Sequence, residues 1–136
     1  MKSIPSIQRD IAEESRVNSI RDALLIPVVT DAHRDHARNA FGRWGAHRAY
    51  LMISGSTGFD WVRADSKARK ADIRGVIRLL ERAGAKVQKE CHGCGGAGIY
   101  LGYDNFEGGK YAAKGLAMAD ALKEIGIDCH VEACGD

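Results

Sequence analysis

Apolar residues recur at spacings of three and four over residues 6–25, where Ile7, Ile11, Val17, Ile20 and Leu24 mark a helix that Pro27 stops. The stripe is narrow and slips between its two halves. It therefore reads as an arm over residues 1–27 that docks on a partner or a second copy of the chain. Thr30 and Asp31 open a second helix with Ala37, Ala40, Phe41 and Trp44 on one face. His33, Arg34, Arg38, Arg43, His47 and Arg48 fall on its other faces. Gly42 and Gly45 weaken this helix, and the run Tyr50-Leu51-Met52-Ile53 reads as its last turn, with a separate strand as the alternative. Small and polar residues make 54–65 a loop, pinned by Phe59 and Trp61. Asp65 or Ser66 caps a third helix that ends at Gly84, with Ala68, Ile73, Val76, Ile77, Leu80 and Ala83 as its buried face.

After Gly84 the period changes from helical to alternating. Residues 85–91 read as a strand, the stretch Cys91-His92-Gly93-Cys94-Gly95-Gly96-Ala97-Gly98 as a tight turn, and 99–103 as the returning strand. A loop over 104–109 leads to a helix over about 110–125, and 127–133 alternates as a final strand, with Ile127, Cys129, Val131 and Ala133 on one face. Gly115 in mid-helix is costly unless something packs close against it, which predicts a helix lying directly on a sheet.

These elements predict one α+β domain over residues 1–136: an arm (1–27), a basic helical part (28–84), and a ββαβ part (85–136). N-terminal helices are thus followed by a helix-hairpin-helix-strand unit with a small mixed sheet. The length suits a single hydrophobic core, and 45% apolar with 28% charged residues is a globular composition. No apolar run approaches the roughly 20 residues of a membrane helix, and the first ten residues turn polar too early for a signal peptide. The expected setting is cytoplasmic and reducing, so the four cysteines read as thiols or ligands and not as disulfides.

Charge divides the chain. Residues 1–83 hold 15 basic and 10 acidic side chains, and residues 84–136 hold 5 and 8. Lys67, Lys70, Arg74, Arg78 and Arg82, spaced by three or four, make a ridge on the third helix. With Arg34, Arg38, Arg43 and Arg48 they predict a surface that tracks phosphates or an acidic protein. The bland reading of the same residues is a solvated face interleaved with Asp35, Asp65, Asp72 and Glu81.

Thiols suit zinc, but Cys134 lies five residues beyond Cys129 on a strand, so a smaller site of Cys91 and Cys94 with Cys129, His92 or His130 is the form a metal centre would take. Otherwise Cys129 is a core residue. His33 and His36 lack the spacing and the intervening glutamate of a zinc-protease helix, and the glycine turn does not open a helix as a phosphate loop must. Tyr103, Asp104, Asn105 and Lys110 bracket the best small-ligand loop, at the carboxyl end of a strand and the start of a helix. A plain connection turned by Asp104 or Asn105 is the competing reading. The expected function is a non-enzymatic regulator or inhibitor that binds nucleic acid or a nucleic-acid-binding protein, as a homodimer through the first helix. The alternative is a nucleotide-binding protein or small enzyme, with zinc as its one expected cofactor.

Overall fold

A computed structural model describes residues 3–42, 45–90, 96–105 and 109–135 of the chain. Its central element is one the apolar pattern misreads. His47–Ser56 is strand β1, the middle of a three-stranded sheet, where the last turn of a helix is expected. Ala49 to Ile53 are all buried, because the strand is covered on both faces. A strand buried on both faces loses its alternation and reads as a continuous apolar run, which periodicity cannot separate from a buried helical turn.

Around β1 the chain forms helices α1 (Ile4–Leu25), α2 (Asp31–Phe41), α3 (Ser66–Arg82) and α4 (Lys110–Glu124), and strands β2 (Gly98–Asp104) and β3 (Ile127–Gly135). The class is α+β, as the element pattern predicts. Strand order is β2-β1-β3, and β1 runs antiparallel to both neighbours, so the sheet is antiparallel and not mixed. The expected hairpin strand over residues 85–91 is reduced, among the described residues, to a single bridge between Gln88 and Gly98. Ala85 and Val87 do pack on the core, but the polar residues between and after them have no second face to bury.

Each helix starts where a side chain can satisfy its free amides. Ser3 accepts from the Ser6 N–H at 3.2 Å and Asp65 from the Ala68 N–H at 2.7 Å. At α2 the Thr30 hydroxyl accepts from the His33 N–H, while His33 Nδ1 accepts from the Thr30 N–H. The other ring nitrogen of His33 is 2.6 Å from Asp120 of α4, so this histidine is a clamp between two helices.

One face of the sheet carries the main core. Leu51, Ile53, Ile127 and Cys129 meet Val17 and Ile20 of α1, Val76, Leu79 and Leu80 of α3, and Met118 and Leu122 of α4. The expected arm is thus built into the fold: the second half of α1 is a core element, lying against both α3 and α4. Its first half does project, with Ile4, Ile7 and Ile11 exposed by 72%, 44% and 64%. Gly115 behaves as predicted, since a Cβ there would fall 2.4 Å from Leu101 and 2.9 Å from Val131 and would lift α4 off the sheet. Tyr50 and Met52 point to the opposite face, where they pack with Cys134. Among the described residues, no helix is long and apolar enough to cross a membrane.

Candidate functional site

Helix packing separates the cations that spacing groups together. α3 lies on α1 and β1, whereas α2 lies on α4, so the arginines of α2 do not extend the α3 ridge. The ridge itself has two parts. Toward its C-terminal end, Arg78 meets Glu13 at 3.3 Å, and Arg82 meets Glu13 at 3.0 Å and Glu14 at 2.8 Å, closing a clasp onto α1. Toward its start, Lys67, Lys70 and Arg74 are exposed and have no carboxylate within ion-pair distance among the described residues. At 1.5 Å rise per residue these three span about 10 Å along one side of the helix. Their charge is open to a partner; that of Arg78 and Arg82 is largely spent within the chain.

Arg34 and Arg38 stand on α2 with surface partners one turn back, Asp31 at 2.9 Å and Asp35 at 3.5 Å. They face Lys110 and Lys114 of α4 across an open pocket, a juxtaposition that no spacing in the chain announces. Arg48, expected on the second helix, is instead exposed on β1, on the sheet face opposite Ala49 and the main core. Arg43 lies outside the described residues.

The expected metal ligands do not converge. Cys129 is buried beneath α4, 3.9 Å from the Ala119 carbonyl, while His130 is exposed and pairs with Glu132 at 2.8 Å. Adjacent strand residues point to opposite faces, so these two cannot share an ion. Burial also pushes the Cys129 thiol up to about 12, against the thiolate that a metal requires. Cys91, His92 and Cys94 lie outside the described residues, and among the described residues no cluster of three metal-ligating side chains is present. Cys134, expected as a thiol, is disulfide-bonded.

Of the expected ligand loop, residues 106–108 lie outside the described residues, and Asp104 holds a structural place. Its Oδ1 accepts from the Tyr111 N–H and its Oδ2 from the Ala112 N–H, both at 3.0 Å, so this carboxylate caps α4 from below. Gly109 permits the approach, because any Cβ there would overlap the carboxylate. The fully buried His47 lies beside it, Nε2 3.4 Å from Asp104 Oδ2, with Nδ1 donating to the Gly45 carbonyl at 3.0 Å. The Nε2 contact has ion-pair distance without hydrogen-bond geometry, and Nε2 finds no other partner among the described residues. Tyr103 and Asn105 are exposed beside this carboxylate, and Lys110 turns toward the α2 arginines. No protein-family model matches the chain, and no curated protein or solved structure matches it either.

Proposed function

We propose that this chain is a non-enzymatic binding protein, a small regulator or inhibitor, that engages nucleic acid through the start of α3. The observation that carries the reading is the line of Lys67, Lys70 and Arg74, which share one side of a helix and have no internal carboxylate among the described residues. Three cations over about 10 Å, roughly one per 5 Å, lie within reach of successive phosphates, which recur about every 3.4 Å of axis per strand of duplex. No enzymatic step is needed for such a role, only release of counterions on contact.

Fluorescence anisotropy with a labelled DNA duplex and an RNA hairpin tests it. With three phosphate contacts, log affinity should fall with log salt at a slope of roughly −3. Lys67→Glu, Lys70→Glu and Arg74→Glu together should leave the fold intact, since exposed changes shift stability by only about 0.5 kcal/mol each, and should weaken binding at low salt by at least about tenfold. Arg78 is left untouched because its reversal would also strain the α1 clasp. Equal binding by the triple variant, or an affinity indifferent to salt, would remove the proposal. A ridge that ignored both nucleic acids but held polyglutamate would move the partner to the acidic-protein class.

A cytoplasmic setting is kept as a proposal, against which the disulfide at Cys134 argues for an oxidising one, and fractionation of the source cell decides between them. Zinc is kept as a proposal for the turn cysteines of the reduced protein alone, without the Cys129–His130 pair, because Cys134 is disulfide-bonded, Cys129 is a free thiol, and the chain has four cysteines in all. About one equivalent is expected by elemental analysis of protein purified without chelator, and a metal-free preparation would end it.

A further inference from the structure

Between the end of α1, the outer side of α2 and the first turn of α4 lies an open pocket of about 550 Å³, within the roughly 300–1,000 Å³ that small-molecule sites occupy. Its floor is aliphatic, made by Leu25, Ile26, Pro27, Val29 and Ala113. Its rim is basic, with Arg34, Arg38, Lys110 and Lys114. Among the described residues no carboxylate and no aromatic ring lines it.

The two halves of this lining ask for different chemistry. Leu25 and Ile26 are each 70% exposed, so the floor leaves apolar surface in water that a bound apolar group would cover. The rim holds four cations whose internal pairings are weak or lacking. Arg34 and Arg38 touch only carboxylates on their own exposed helix face, and Asp31 is itself 96% exposed. Lys114 has no carboxylate partner among the described residues, and Lys110 rests over the ring of its neighbour Tyr111 at 5.4 Å.

A polynucleotide would satisfy the rim and leave the floor wet, since no ring is present on which a base could stack. A bare inorganic anion would do the same. A neutral apolar molecule would cover the floor and leave four cations unanswered. We propose that the pocket binds an amphipathic anion, an aliphatic body several carbons long carrying a phosphate or carboxylate head, with the body on the Leu25–Val29 floor and the head among Arg34, Arg38, Lys110 and Lys114. This site is separate from the α3 ridge and goes beyond the nucleic-acid reading.

Isothermal titration of the full chain at neutral pH with octyl phosphate, octanoate, octanol and inorganic phosphate tests the proposal, all kept below micelle-forming concentrations. Octyl phosphate or octanoate should bind at least tenfold more tightly than octanol and inorganic phosphate, and which of the two binds better identifies the head group. Extending hexyl to octyl to decyl phosphate should tighten binding by up to about fourfold per methylene. Arg38→Gln with Lys114→Gln should weaken octyl phosphate at least tenfold, and Ile26→Asp, at an exposed position, should do the same from the floor side. Far-ultraviolet circular dichroism confirms that each variant is folded before its affinity is read. If the double variant does not fold, Ile26→Asp and the chain-length series decide alone. The Lys67, Lys70 and Arg74 triple reversal should bind octyl phosphate as the parent does, which keeps this result independent of nucleic-acid binding. No heat with either amphiphile, inorganic phosphate or octanol binding as tightly as octyl phosphate, or affinity unchanged in the folded pocket variants would overturn it.

Discussion

Deleting residues 1–26 should leave the chain unfolded, whereas deleting only residues 1–11 should leave it folded. Val17 and Ile20 are sealed in the main core, and α1 lies between α3 and α4. The larger deletion removes those side chains and Ala23, opens Leu79, Leu80 and Met118 to water, and breaks the Glu13 and Glu14 clasp onto Arg78 and Arg82. Burying one large aliphatic side chain contributes about 1.5–3 kcal/mol, so losing two outright and exposing several more is comparable to the whole of the roughly 5–15 kcal/mol that holds a domain together. The shorter deletion takes away Ile4, Ile7 and Ile11, which are mostly exposed. Circular dichroism with a urea titration reads both; a cooperative transition in the larger deletion would show that α1 is dispensable after all. Light scattering on the same pair tests self-association. The homodimer is now proposed through Ile4, Ile7 and Ile11 only, so a full-length dimer should become a monomer in the shorter deletion, and a full-length monomer at tens of micromolar would end that idea.

How far the chain announces this structure depends on whether an element buries one face or two. α3 buries one stripe, and its face, the caps at Thr30 and Asp65, and the terminating glycine Gly84 are readable from spacing alone, whereas α4 is buried around much of its circumference, Ala113 and Ala117 included. β1 is covered on both sides, so Tyr50-Leu51-Met52-Ile53 carries no period to read. α1 misleads for a different reason. Its stripe drifts because only the second half meets the core, and the first half has nothing beneath it to keep the period regular.

The candidate surfaces were legible in the same partial way. Lys67, Lys70 and Arg74 follow from helical spacing and stand exposed together as expected. Arg78 and Arg82 share that spacing, but their neutralisation by Glu13 and Glu14 spans more than sixty positions and shows only in the packing of α1 on α3. The rim formed by Arg34, Arg38, Lys110 and Lys114 is likewise a product of α2 lying on α4. A signal was present in His33, which reaches Asp120 across the same interface, but a histidine on a polar face does not say which helix it will meet.

Asp104→Ala should lower stability by about 3 kcal/mol, the largest effect expected of a single side-chain change outside the main core. Two losses combine. The carboxylate is the side chain that caps α4, accepting from Tyr111 and Ala112, and removal of such a cap costs about 1–2 kcal/mol. Its Oδ2 is also the polar atom 3.4 Å from Nε2 of the wholly buried His47, and removing the polar neighbour of a buried group costs about 1–3 kcal/mol. The two figures overlap because the same carboxylate serves both roles, so the sum is an upper bound. Asp104→Asn separates them. An amide oxygen can still cap one N–H, since asparagine matches aspartate in that role, but it carries no charge for His47. His47→Ala in the parent and in the Asp104→Ala background then closes a double-mutant cycle. A coupling energy of at least about 1 kcal/mol is expected from urea midpoints if the 3.4 Å contact is a true interaction. Additive losses would mean that Asp104 serves α4 alone, with His47 held in place by its bond to the Gly45 carbonyl and by the aromatic ring of Phe41 at 6.1 Å.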